Sequence, residues 1–282
     1  MEGWMRVTSH GPRKDVLAVV RLEHYLIDPS FRHSGCVQHS TSASLSTPHP
    51  PRTMPSLTVD AILFDMDGTL IDSTPGVLQA WRTFALDYGL NAAEVAHASH
   101  GRRLYDTLKE YCRIDDENKL QAEIIRFEDE VIRGGPVPLP GAQSLLEQIQ
   151  AGSPSASGWT IVTSATNLYT PQALAKCGIP LPPLGAVTSN DVAYGKPHPA
   201  PYLAGARRLG VDPSRCLVIE DAPSGLASGN AAGCKTIAVC TSHTAPAIRE
   251  SGVKPDYIIR DLTSISIRWI GESIEVNINP SA

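Results

Sequence analysis

The sequence predicts an α/β fold: a doubly wound parallel sheet with a small all-helical insert. Three observations lead there. From residue 137 onward, short apolar runs alternate with helical patterns, as in a parallel sheet covered by helices on both faces. Residues 75–135 break that alternation and show helical spacing only. Several apolar runs end in acidic or hydroxyl side chains, which gathers polar groups at strand carboxyl ends, the usual site of an open α/β sheet.

Taken in order, residues 1–55 differ from the rest. Val16 to Ile27 has a weak helical pattern, and His39 to Pro55 is rich in Ser, Thr, Pro and His, a composition that reads as disordered. Met54 lies just before the first strand signal. Residues 1–53 are therefore expected to be a dispensable extension from an overlong gene model. A mitochondrial presequence fits less well, because Glu2, Asp15, Glu23 and Asp28 are unusual in such peptides. Mass spectrometry of the native N-terminus tests this, and peptides from residues 1–53 would sink the gene-model idea.

Residues 56–74 carry the first strand and its loop. Val59 to Phe64 reads as a buried strand that stops at Asp65-Met66-Asp67-Gly68-Thr69. Side chains two apart on a strand point the same way, so Asp65 and Asp67 start on one side. Two crowded carboxylates repel unless a cation or proton lies between them. That pattern points to a hard metal such as Mg²⁺ and a phosphorylated ligand.

In the insert, Val77, Ala80, Trp81, Phe84 and Ala85 recur at helical spacing. So do Leu104, Thr107, Leu108 and Tyr111, and then Ile124, Ile125, Phe127, Val131 and Ile132. Gly134 to Gly141 reads as the returning hinge. Beyond it the spacing predicts helix 141–150, strand 159–163, helix 168–177, a strand-like run 184–188, helix 199–209, strand 216–220, helix 224–232, strand 235–239 and a last strand near 256–259. Gly178, Gly210 and Gly233 sit where helices should stop. Residues 268–282 read as a loosely attached tail.

Four segments stand out in order. They are Asp65-Met66-Asp67-Gly68-Thr69-Leu70, then Thr163-Ser164-Ala165-Thr166 after a strand, then Gly195-Lys196-Pro197-His198-Pro199, then Glu220-Asp221-Ala222-Pro223-Ser224-Gly225. Each alone has a plain alternative. The first could be an Asp-Gly turn, Ser164 a helix cap, Lys196 a solvated loop lysine, and Glu220-Asp221 a polar turn. Together, in this order, they resemble the four motifs of the haloacid dehalogenase superfamily of phosphotransferases. The resemblance covers about residues 57–265.

That resemblance implies a Rossmann-like core over residues 56–74 and 136–267, with residues 75–135 as a helical cap. It implies that Asp65 attacks phosphorus and forms an aspartyl-phosphate. Asp67 would protonate the leaving alcohol and then activate water. Mg²⁺ would be held by Asp65, the Asp67 carbonyl and Asp221, with Glu220 as a direct or outlying ligand. Lys196 would neutralise Asp65, while Ser164 and the neighbouring Thr163 and Ala165 would take phosphate oxygens. Asp67 speaks against the dehalogenase subclass, which needs no general acid there.

The insert has one polar anomaly, Ser99-His100-Gly101-Arg102-Arg103. It reads either as a loop with a solvated helix start or as a substrate clamp made by His100, Gly101 and Arg102. With the third and fourth motifs it resembles the fungal branch of small sugar- and polyol-phosphate phosphatases, which includes glycerol-3-phosphatase and 2-deoxyglucose-6-phosphatase. The expected substrate is thus a small phosphate ester. A β-phosphoglucomutase-type enzyme is a rival, but that type carries histidine ten residues past the second Asp, where this chain has Val77. A catalytically silent binding protein is a second, yet every catalytic position is filled. A pathway-specific phosphatase with an unusual substrate is a third.

Length and composition agree with a soluble enzyme. The chain has 282 residues, 42% of them hydrophobic, with a net charge of −5. That charge argues against nucleic acid as a partner. No apolar run reaches the roughly 18 residues of a membrane span. The six cysteines form no CxxC pair, and Cys216 and Cys234 read as small core residues. The expectation is a monomer in the reducing cytoplasm.

Overall fold

β-Branched and aliphatic runs bounded by turns build a five-stranded parallel sheet. The computed structural model of the chain describes residues 55–152 and 158–279. The extension expected over residues 1–53 lies outside the described residues. The first half of the chain holds β1 (Ser56–Val59), β2 (Ala61–Phe64), β3 (Ile71–Asp72), α1 (Thr74–Tyr88), α2 (Ala92–Ala98), α3 (Leu104–Cys112) and α4 (Glu117–Arg133). Next come β4 (Val137–Pro138), α5 (Ala142–Gly152), β5 (Trp159–Ile161), α6 (Tyr169–Lys176), α7 (Ala200–Leu209) and β6 (Cys216–Glu220). The chain finishes with α8 (Pro223–Ala231), β7 (Lys235–Val239), α9 (Ala245–Glu250), β8 (Tyr257–Ile259), β9 (Ile265–Ile270) and β10 (Ser273–Ile278).

The five-stranded sheet has the order β5-β2-β6-β7-β8, and each neighbouring pair is parallel. Alternation sorts its side chains onto two faces. Ile62, Phe64, Leu217 and Ile219 pack with Leu145, Leu146 and Ile149 of α5. Ala61, Leu63, Cys216 and Val218 pack with Tyr202 and Ala206 of α7. Both faces are therefore dry, as a parallel sheet requires. Cys216 and Cys234 are buried in the second cluster as free thiols.

The helical segment is tied to this core by a narrow neck. β3 and β4 pair antiparallel, Ile71 with Pro138 and Asp72 with Val137. Beside them α1 and α4 meet at glycines: a Cβ on Gly134 would lie 2.4 Å from the Gly76 Cα. The four helices α1–α4 enclose Trp81, Phe84 and Phe127, whose rings meet edge to face at centroid distances of 4.8 Å (Trp81–Phe127) and 5.2 Å (Phe84–Phe127).

Three elements depart from the sequence reading. The run Val59 to Phe64 splits at Asp60. β1 leaves for a second sheet, and Asp60 accepts hydrogen bonds from Arg215 (2.6 and 2.5 Å) and from Ser273 (2.8 Å). The strand expected over 184–188 is reduced to one bridge, Val162 to Val187. Pro182 and Pro183 supply no N–H, and Gly185 takes a left-handed φ of 75°.

The tail expected over 268–282 is corrected over its described part, residues 268–279. Ile265–Ile270 and Ser273–Ile278 form a hairpin, and β10 pairs with β1 in a three-stranded antiparallel sheet, order β1-β10-β9. Ile274, Val276 and Ile278 are buried. The hairpin is attached because its period-two apolar face has the first strand to pair with. The Trp269 ring lies over Gly152 and Gly158, where a Cβ would come within 2.2 and 2.4 Å of it.

Candidate active site

β2 and β6 are neighbours in parallel register, so their carboxyl ends deliver Asp65 and Asp67 next to Glu220 and Asp221. β5 lies on the other side of β2 and delivers Thr163 to Thr166. Lys196 arrives from the loop before α7. Its buried Nζ donates to Asp65 Oδ1 (2.6 Å), Glu220 Oε1 (2.8 Å) and the Val162 carbonyl (3.0 Å). Burial opposes the lysine's charge, but the two carboxylates outweigh it and hold Lys196 protonated.

Glu220 is fully engaged. Oε1 also accepts from Tyr202 Oη (3.1 Å), and Oε2 accepts the N–H groups of Asp221 and Ala222 (both 2.9 Å). A carboxylate offers about four acceptor positions, and Glu220 uses all of them. Gly225 makes this possible: a Cβ there would lie 1.6 Å from Glu220 Oε1.

Asp65 differs. Its Oδ2 is buried and has no hydrogen-bond partner. Burial pushes its pKa well up, and the charges of Glu220 and Asp221 add to that against Lys196. Oxygens of Asp65, Glu220 and Asp221 lie within 4.8 Å of one another. Lys196 contacts two of these three buried carboxylates, and one oxygen of Asp65 is orphaned. Hard oxygen donors with excess negative charge fit a divalent cation of the Mg²⁺ type. Asp221 is also contacted by His100 Nε2 (2.8 Å). Burial works against the Asp221 anion, but His100 keeps its pKa below the usual range. Burial likewise opposes the imidazolium, yet Asp221 pushes His100 up to about 9. His243 completes a second grouping with His100 and Asp221, which draws on the same carboxylate.

Asp67 accepts a hydrogen bond from Tyr169 Oη (2.8 Å). Its carboxyl opens onto a cavity but is remote from bulk water. That desolvation raises its pKa, although hydrogen bonds from Ser73 and Tyr169 pull the other way. A raised pKa suits a group that must carry a proton near neutrality.

The cavity has a volume of about 370 Å³. Of the expected site residues, Asp65, Asp67, Thr163, Ser164, Ala165, His100, Gly101 and Arg102 line it. Lys196, Glu220 and Asp221 lie behind that lining. The expected clamp is brought to the site, but its polar groups hold protein partners. Arg102 pairs with Glu110 of α3 (2.6 Å). Ser164 Oγ donates to the Gly101 carbonyl (2.9 Å), and Ser224 Oγ donates to that of His100 (3.3 Å). Gly101, at φ 72°, sits so close that a Cβ would be 2.7 Å from both Ala222 Cβ and Ser224 Oγ. The cap segment is docked on the second and fourth motif loops.

Sequence reasoning missed Ser73, Tyr169 and Glu128. Glu128 of α4 is 5% exposed and lines the cavity. Its Oε1 accepts the Thr166 N–H (2.8 Å), and its Oε2 accepts from the Thr166 hydroxyl. Burial pushes its pKa up to about 7 against those bonds, and the charge of Asp67 adds to the rise. A signal was present: Ile124, Phe127, Glu128 and Val131 follow i, i+3, i+4, i+7 spacing, so Glu128 stands in the apolar stripe itself.

A parallel α/β core with strand-end carboxylates, a buried lysine and a helical cap over one cavity defines a phosphoryl-handling hydrolase. The chain belongs to the haloacid dehalogenase-like hydrolases, whose family pattern matches residues 59–233. Among known proteins, it is 39% identical to hexitol phosphatase A of Escherichia coli K12, across 73% of this chain and 92% of that protein. It is 37% identical to glycerol-1-phosphate phosphohydrolase 1 of Saccharomyces cerevisiae, across 81% and 94%. A solved structure from Bacteroides vulgatus, described provisionally as a beta-phosphoglucomutase, superposes with a TM-score of 0.61 at 28% identity, covering 75% of this chain and 86% of that one. With relatives of this kind the protein is a phosphomonoesterase of that family. Among the described residues, no helix is long and apolar enough to cross a membrane.

Proposed function

We propose that the protein hydrolyses a small sugar or polyol phosphate in a Mg²⁺-dependent reaction that passes through an aspartyl-phosphate on Asp65. The observation that carries this reading is the state of Asp65: one oxygen is pinned by Lys196 at 2.6 Å, while the other is unpartnered in a carboxylate that lines the cavity. That free oxygen is the nucleophile. As it bonds to phosphorus, the ester oxygen leaves with the proton of Asp67, whose raised pKa supports the acid role. Asp67 then takes a proton from water, and the water oxygen displaces Asp65 from phosphorus. Lys196 keeps Asp65 ionised before the attack and again once the phosphoryl group has left.

Asp65 and Asp221 are the residues that would hold Mg²⁺, and when bound it would offset charge on the transferring phosphoryl oxygens. Glu220, with all acceptor positions in use, orients Lys196 and the turn after β6. The names of the hexitol and glycerol phosphatases support a small polyol or sugar phosphate as substrate.

The test is phosphate release across glycerol phosphates, 2-deoxyglucose 6-phosphate, hexose phosphates and hexitol phosphates, with Mg²⁺ and with EDTA. Release that needs Mg²⁺ and concentrates on one or two of these esters is expected. β-Glucose 1-phosphate with a coupled isomerisation readout tests the mutase reading, which the Bacteroides likeness favours and Val77 opposes. Isomerisation without phosphate release would overturn the phosphatase.

A further inference from the structure

We propose that Glu128 reads a hydroxyl of the leaving alcohol and turns away esters that carry a second negative charge. This rests on the phosphomonoesterase reading above.

The cap wall of the cavity is mostly apolar. Val77, Trp81, Leu104, Phe127 and Val131 line it. Apart from the catalytic Asp65 and Asp67, Glu128 is the carboxylate that reaches the cavity among the described residues. It comes from the cap, on the wall that does no chemistry. Buried carboxylates are normally paired with cations. Glu128 is not: among the described residues, no lysine, arginine or histidine forms an ion pair with it. Among the described residues Thr166 serves it, once on each oxygen. Each carboxylate oxygen accepts about two hydrogen bonds, so one position on each stays open.

A hydroxyl donor completes that set. The alcohol oxygen that leaves phosphorus must lie at Asp67, and Asp67 is near enough for its charge to act on Glu128. A hydroxyl further along the same alcohol then faces the Glu128 carboxylate, while its carbon skeleton lies on Trp81 and Phe127. A carboxylate or second phosphate in that place meets a like charge in water-poor surroundings, where repulsion is strong. An alcohol with no hydroxyl leaves Glu128 short of a donor, the situation in which binding sites discriminate most sharply.

The alternative is that Glu128 only latches α4 to Thr166. The two roles separate in ratios. A latch changes kcat/KM for all esters by a common factor, whereas a reader changes one ester relative to another. The probes are two matched triads at pH 8: glycerol 1-phosphate, propyl phosphate and 3-phosphoglycerate, then sorbitol 6-phosphate, hexyl phosphate and 6-phosphogluconate. The wild type is expected to prefer the polyol ester in each triad. Glu128→Gln keeps the size and the Thr166 contacts but removes the charge. It should narrow the preference over the carboxylate ester by about tenfold or more, chiefly through KM, with the preference over the alkyl ester less changed. Glu128→Leu should collapse both preferences. Unchanged ratios in both variants, or a wild type indifferent to hydroxyls, would overturn the assignment and leave the phosphatase intact. Failure of the wild type to release phosphate from any ester would instead fall on the phosphatase reading itself.

Discussion

At the carboxyl ends of β2 and β6, four charged side chains lie in contact or nearly so, and strand register and backbone N–H groups fix them. Across the cavity, the cap presents Trp81, Phe127 and Val131, with a carboxylate held by one threonine, an arginine tied to α3 and a histidine that reaches Asp221. The core wall is crowded with charge that hydrogen bonds hold in place. The cap wall is apolar and has few fixed polar groups. Bond making needs charges held in place before substrate arrives, while selection needs a surface that can vary without disturbing them. On the proposed function, each demand falls chiefly to a different piece of chain.

The sharpest way to break this comparison is at Asp65, the proposed nucleophile. Asp65→Asn should lower phosphate release by about 10⁴-fold or more, with folding judged by circular dichroism intact. Retained turnover would remove Asp65 from its role.

Lys196→Met should be nearly as damaging and should also cost stability. It leaves Asp65 and Glu220 buried without their cation, a change worth about 3–5 kcal/mol. Urea unfolding measures it, and a loss under about 1 kcal/mol would show that the core charges are less interdependent than their contacts imply.

Glu128 tests the cap wall by pH. Its folded pKa is about 7, above the ordinary 4.5, so the folded state holds the proton more tightly. Stability from this group is fully present below about pH 4.5 and is lost as pH rises through 7. Glu128→Gln has nothing to lose on that path. Its stability relative to wild type should therefore rise between pH 5 and pH 8, by on the order of 2–3 kcal/mol. Parallel curves of melting temperature against pH would refute the burial argument.

Arg102→Ala should do least. Its partner Glu110 is half exposed, and such pairs contribute about 1 kcal/mol or less. An unchanged kcat/KM across the ester panel would return Arg102 to the role of a helix-surface ion pair. A selective loss on one ester would show that it swings from Glu110 to substrate.

The same division decides what the sequence disclosed. The core site was legible because each motif is local: the strand and the residues it delivers are adjacent in sequence, as in Ile62 to Gly68 and Leu217 to Asp221. Their mutual contacts followed once the strands were taken as parallel neighbours. The cap site was not local. Ser99 to Arg103 stood out as polar and does line the cavity, but the choice of partner for Arg102 depends on how α3 turns. Glu128 was hidden by its own position, since a stripe sought by its apolar members passes over the one charged residue on it. The terminal hairpin carried a period-two pattern at Ile265, Ile267 and Trp269, and again at Ile274, Val276 and Ile278. Its meaning depended on pairing with Ser56 to Val59, more than 200 positions away.

The approach of Gly76 to Gly134, with a hypothetical Cβ 2.4 Å from the opposing Cα, has a consequence for modularity. The two ends of the cap meet at one point, so the chain enters and leaves the insert through a neck no wider than two backbones. Segments whose ends lie together can be exchanged as cassettes. A cap of different length or composition grafted between these glycines would leave Asp65, Lys196, Glu220 and Asp221 in register. New specificities could then be recruited onto an unchanged catalytic floor.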